Sequence, residues 1–135
     1  MSGETDIQIL LQDMKPKLND GEFVFCITDS LQTANSLNPL CLFQEKEGIT
    51  VIIPKTQADN ASLPYSVVCA WITLTVHSSL EAVGLTAAVS KALTEANISC
   101  NVVAAYYHDH IFVPTQDAKK AMEVLKKLSE KGESQ

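Results

Sequence analysis

Arginine is missing from this chain. All ten basic residues among its 135 are lysines, set against sixteen acids for a net charge of −6. Binding along a nucleic acid needs clustered positive charge, so no nucleic-acid partner is expected. Without a guanidinium fork, any bound carboxylate must be held by backbone N–H groups, hydroxyls or lysine. Long apolar runs are missing too. None approaches the ~20 residues of a membrane span, and the opening MSGETD has no secretory h-region. No CxxC joins the four cysteines, at 26, 41, 69 and 100. Three of them lie inside apolar runs (FVFCI, VVCAW, ISCNVV), where a thiol behaves as a small hydrophobe. The expected setting is therefore cytoplasmic and reduced, with neither membrane nor nucleic acid as partner. GxSxG, Walker-A and dinucleotide fingerprints are absent as well, and the chain is read as a non-enzyme without a cofactor.

What is present is a strong alternation of helix and strand patterns, in a chain 46% hydrophobic and 19% charged. Ile7, Leu10, Leu11, Met14 and Leu18 follow helical spacing, and Pro16 limits the regular part to about residues 4–14. EFVFCIT at 22–28 is a strand. Residues 29–39 hold at most a short helix, and strands at 40–44 and 49–53 flank the hairpin signal Glu45-Lys46-Glu47-Gly48. Residues 54–65 allow one helical turn. In the run 67–76, Val68, Ala70, Ile72, Leu74 and Val76 form one apolar face, and Trp71, Thr73, Thr75 and His77 lie on the other. Leu85, Ala88, Val89, Ala92, Leu93 and Ala96 mark a second helix, which Asn97 stops. Residues 98–107 are read as a strand, His108-Asp109 as a tight turn and 110–113 as another strand. A lysine-rich last helix follows Pro114.

The order from Val67 is β-α-β-β-α, and from Glu22 it is β-(short α)-β-β-(short α)-β. The expected fold class is α+β: two ferredoxin-like βαββαβ units sharing the strand 66–77, each an antiparallel sheet with helices on one face. Twelve residues at ~3.3 Å span about 40 Å, enough to serve two small sheets. A single mixed sheet is the simpler alternative. The expected division is 1–66 for a degenerate first unit, 67–131 for the second and 132–135 for a frayed tail.

This order, with Gly84-Leu85 opening the first helix of the second unit, resembles the ACT domain, a small regulatory ligand-binding module. The similarity centres on SSLEAVGLTAAVSKALTEANISCNVVAAYYHDHIFVP and covers residues 68–129. It extends to small bacterial proteins made of two ACT-like units and to the cytosolic arginine sensors. Residues 1–66 fit less well and show no Gly-Leu helix start. The resemblance implies that an amino acid binds near an interface between units, at the loop between first strand and first helix. In the resembling sensors an Asp-His pair at the later turn helps to bind it, and Asp109-His110 matches that pair.

The residues themselves are compatible with such a site. Ser78-x-x-Glu81 has capping-box spacing. Gly84, lacking a Cβ, lets a carboxylate reach the N–H groups of Gly84 and Leu85, where the helix dipole favours an anion. The expected ligand set is His77, Ser78, Ser79, Val83, Gly84, Leu85, Tyr107, Asp109 and His110. Gly84, Leu85 and Ser79 take the carboxylate, Asp109 takes the ammonium, and His77, Val83, Tyr107 and His110 shape the side-chain pocket. Against this stand blander readings: Asp109 capping its own turn, Gly84 permitting close packing, Ser78 and Ser79 as caps. Tyr106 and Tyr107 are expected on opposite faces, one of them at a subunit interface. His108 and His110 alternate on a strand and could share an ion, but an HxH pair alone does not make a metal site. Cys100 lies in an apolar run that disfavours a thiolate. An unpaired edge strand is a liability in a free-standing domain, so a homodimer is expected. A ligand-free structural interaction module is the alternative function.

Overall fold

The computed structural model describes residues 6–75 and 84–133. In chain order, α1 (Ile7–Asp13) and β1 (Pro16–Leu18) come first, then β2 (Phe23–Thr28), α2 (Leu31–Ser36), β3 (Cys41–Gln44), β4 (Ile49–Pro54) and α3 (Lys55–Asn60). Strand β5 (Cys69–Leu74) leads on to α4 (Leu85–Glu95), β6 (Asn101–Ala104), β7 (Asp109–Pro114), a 3-10 turn at Thr115–Asp117 and α5 (Ala118–Glu133). Gly21–Cys69 form one unit, and the described parts of 1–20 and 70–135 form another. By their order along the chain these are the inner and the outer unit.

In the inner unit, Val24, Cys26 and Thr28 of β2 are buried on one face with Val51 and Ile53 of β4. Ala34 of α2 and Ala58 of α3 close this core from one side. β2 pairs antiparallel with β4 from Phe23↔Pro54 to Thr28↔Ile49, β3 flanks β4, and Cys69 pairs with Phe23 on the far side of β2. Ser30 caps α2, its Oγ accepting from Thr33 N–H at 3.1 Å. The Asp59 carboxylate ties α3 down, accepting from Lys55 Nζ at 2.9 Å and from Tyr65 Oη at 2.7 Å.

The outer unit is completed from the front of the chain. β1 pairs antiparallel with β5 in the register Pro16↔Leu74 to Leu18↔Ile72, and β7 and then β6 follow on the other side of β5. In ferredoxin-like terms, β1 is the fourth strand, the one missing from the β-α-β-β-α run after residue 67. Ala70, Ile72 and Leu74 of β5 and Ile111 and Val113 of β7 make the apolar face. Leu10, Leu11 and Met14 from α1, Leu85, Val89 and Leu93 from α4, and Ala121 and Leu125 from α5 cover it. Asp6 opens α1, accepting from Gln8 N–H at 2.9 Å. The carbonyls beyond the end of α1 are met by α5: Ser129 Oγ donates to Met14 O at 3.1 Å. Lys120 Nζ does the same for α4 at Ala96 O, 2.9 Å away.

Both units are thus α+β, each an antiparallel ferredoxin-like sheet with its helices on one face. Two details differ from the sequence reading. Residues 16–18, beyond the helix that Pro16 limits, form the strand β1, because β5 offers an open edge in register with them. The strand 98–107 shortens to Asn101–Ala104, and the turn moves to 105–108, closed by Ala105 N–H donating to His108 O at 3.0 Å. Asp109 and His110 therefore both belong to β7. In space the first twenty residues group with 70–135. Among the described residues no helix is long and apolar enough to cross a membrane.

Candidate functional site

The two units are repeats of one plan, and laying one on the other isolates what is unusual. β4 and β7 are both six residues long, share the same alternation of burial and end in proline. Each follows a four-residue turn closed by the same bond, Glu45 N–H to Gly48 O and Ala105 N–H to His108 O, both 3.0 Å. In this alignment Asp109 falls where the inner unit has the core residue Ile49, and His108 falls on Gly48.

Asp109 is accordingly a carboxylate in a core position. It is 8% exposed, on the side of β7 that carries Ile111 and Val113. Burial pushes its pKa above the ordinary carboxylate value, against the weaker opposing pull of His110 and His108. No ion pair neutralises it among the described residues.

Gly84 stands at the N-terminus of α4 with φ +109, a left-handed conformation that L side chains rarely adopt. Space does not force the glycine, since a Cβ would stand 3.6 Å from Ile7 Cδ1. Its N-cap residue, being glycine, supplies no side-chain cap, unlike Ser30 of α2. Leu85 is in the core and offers its N–H rather than a pocket wall.

His110 is turned away from Asp109, as neighbours on a strand must be. Its Nδ1 accepts from Trp71 Nε1–H at 3.0 Å. Indole can only donate, so Nδ1 carries a lone pair, and the Thr73 hydroxyl 3.1 Å away is a second donor. Thr73 Oγ1 in turn accepts from Asn19 Nδ2 at 2.9 Å, and Asn19 N–H donates to Trp71 O at 2.9 Å. Burial and the neighbouring His108 hold the His110 pKa below its ordinary value, with Asp109 opposing. This is a neutral imidazole that locks β1, β5 and β7 together.

Tyr107 stands on the turn, 64% exposed, in edge-to-face contact with Tyr106 at 5.0 Å between ring centroids. The two tyrosines therefore share the turn tip and do not alternate across a strand. His77, Ser78, Ser79 and Val83 lie outside the described residues. Of the expected set, then, the described residues place Gly84 at the start of α4, Leu85 in the core, Asp109 buried on β7 and His110 on the opposite face of that strand. The expected set omits His108, beside Asp109; only the unmet state of its ring nitrogen, described below, distinguishes it.

Metal ligation has no cluster behind it: among the described residues, no three His, Cys, Asp or Glu side chains gather at ion-binding range. Cys26, Cys69 and Cys100 all have pKa values raised by burial, Cys100 to about 11, which suits structural thiols and not nucleophiles.

Two family models, both for the ACT domain, match the chain, one over residues 2–70 and one over residues 66–127. Among solved structures, it is 46% identical to a protein of unknown function, a possible transport protein, from Vibrio cholerae. The match covers 90% of this chain and 94% of the other, with a TM-score of 0.84. A protein from Agrobacterium tumefaciens shares the fold at 13% identity (TM-score 0.70, 86% and 89% of the two chains). So does the ligand-free regulatory subunit of aspartate kinase from Thermus thermophilus, at 10% identity (TM-score 0.62, 87% and 97%). No curated protein matches the chain.

Proposed function

Because the chain belongs to the ACT-domain family, with two such units in one polypeptide, we propose that it is a non-enzymatic, cytoplasmic regulatory module that binds a free amino acid. The observation that carries this reading is Asp109. A carboxylate in a core position, with no ion-pair partner among the described residues and an isoleucine at the equivalent place in the other unit, is a destabilising choice unless something cationic docks there. An α-ammonium group has that charge and is small enough to approach a strand end. The glycine-opened start of α4 is the complementary half of this reading: N–H groups of Gly84 and Leu85, with Ser79 nearby in sequence, for the α-carboxylate. In a chain without arginine, backbone N–H groups at a helix start are one of the few ways to hold a carboxylate. Ser78 would help open the loop, with His77, Val83 and Tyr107 walling the side chain. His110 would act from the other face by fixing β7.

A thermal-shift screen of the full chain against the proteinogenic amino acids tests this directly. A ligand at 100 times its Kd adds about 2.7 kcal/mol to stability, and Asp109→Asn is expected to erase the shift. Silence from every amino acid would remove the proposal in favour of a ligand-free interaction module.

A homodimer belongs to the same reading. The edge strand β3 (CLFQ) and the preceding Leu40 carry no charge, and Phe25, Ile27 and the 67% exposed Phe43 lie on the open face beside it. An edge without charge or proline to protect it invites pairing. Light scattering is expected to give twice the chain mass, and Phe43→Lys to give the monomer. A monomeric wild-type chain would contradict the dimer.

A further inference from the structure

Among the described residues, one buried side-chain nitrogen lacks any hydrogen-bond partner: Nδ1 of His108. Native structures rarely leave such an atom unmet, because desolvating a donor or acceptor without a replacement bond costs stability. His110, two residues on, has its own Nδ1 satisfied twice. The turn does not require an imidazole at this place, since the inner unit closes the equivalent turn with Gly48. His108 is thus a side chain the hairpin can do without, carrying a ring nitrogen that the protein leaves unused. In the chain it immediately precedes Asp109, the buried carboxylate.

We propose that His108 is a specificity-determining residue: its Nδ1 hydrogen-bonds the side chain of the bound amino acid, which therefore carries a hydroxyl, amide or comparable polar group. This rests on the amino-acid reading of Asp109. The physical basis is the asymmetry of polar recognition. A site built to hydrogen-bond a polar group rejects the analogue lacking it, because the protein atom is then left unpaired, whereas an apolar wall discriminates poorly between isosteres.

Binding of the isosteric pairs threonine/valine, asparagine/leucine and glutamine/methionine to the full chain, measured by calorimetry, tests the inference. The binding pair should favour its polar member by about tenfold or more. His108→Leu should bring the two within about threefold, while His108→Gln, which keeps a hydrogen-bonding group, should preserve the preference. The imidazole nitrogen resonances give a readout that needs no variant. Adding the polar ligand should move Nδ1 of His108 and leave the doubly bonded Nδ1 of His110 in place. An aliphatic amino acid binding as tightly as its polar partner overturns the inference and leaves the amino-acid reading intact. A His108 resonance that ignores the ligand also overturns it, the nitrogen then being met by water alone. If no amino acid binds at all, the reading of Asp109 fails and this one falls with it.

Discussion

Removing residues 1–20 is expected to abolish the folded outer unit, although every residue after Ala70 is retained. Leu10 and Met14 are fully buried, Leu11 nearly so, and all three pack among the core residues of α4, α5, β5 and β7. Truncating one such side chain to alanine costs about 2–5 kcal/mol, and a whole domain has only about 5–15 kcal/mol in reserve. The deletion would also strip β5 of its β1 partner and leave Ser129 without the carbonyls of Gln12 and Met14. Trp71, the chain's single tryptophan, reports the outcome, because its carbonyl accepts from Asn19 and its side chain faces His110. A red-shifted emission and loss of the cooperative thermal transition are expected for the 21–135 chain. Leu10→Ala offers a gentler probe, with an expected loss of about 3 kcal/mol. A native-like transition in the truncated chain would show instead that the first segment belongs with the inner unit, as the linear division at 66/67 has it.

Asp109→Ile, which copies the inner unit's Ile49, is expected to make the protein more stable and unable to respond to ligand. Restoring an apolar residue to an apolar position removes a desolvation penalty of roughly 1–3 kcal/mol. The pH dependence gives this prediction a signature. The folded-state pKa of Asp109 lies above the ordinary value of 3.8, so the folded chain holds that proton more tightly than the unfolded chain does. The penalty is therefore absent below the unfolded pKa, grows as pH rises through the folded one, and is complete above it. The stability gap between variant and wild type should open from about pH 4 upward in urea titrations and then level off. A gap of constant size from pH 3 to 7, or a destabilised variant, would count against a buried carboxylate poised for a cation.

How much of this was legible in the sequence depends on how local each determinant is. The helix from Leu85 and the strand around Ala70, Ile72 and Leu74 could be read directly, because periodicity and burial agree there. β1 could not. Pro-Lys-Leu has no strand signature, and it becomes one because β5 has a free edge in register with it. Tyr106 and Tyr107 have strand propensity, yet the pairing of Ala104 with Asp109 turns them into the tip of a hairpin. Gly84 and Asp109 were recognisable as residue types at suitable places. That Asp109 occupies a core position emerges only when the two units are compared, and the unmet nitrogen of His108 depends on the folded environment entirely.

The pairing of Phe23 with Cys69 brings the two ends of the inner unit together. Its consequence is kinetic. β1 must find β5 across about fifty intervening residues, and closing a disordered loop of that length costs about 3–4 kcal/mol. With residues 21–69 folded, the Phe23–Cys69 pairing has already closed most of that loop. The inner unit is synthesised before β7 and α5, so this closure can precede them. It thus doubles as a folding template, turning the most distant strand pairing of its neighbour into a short-range one.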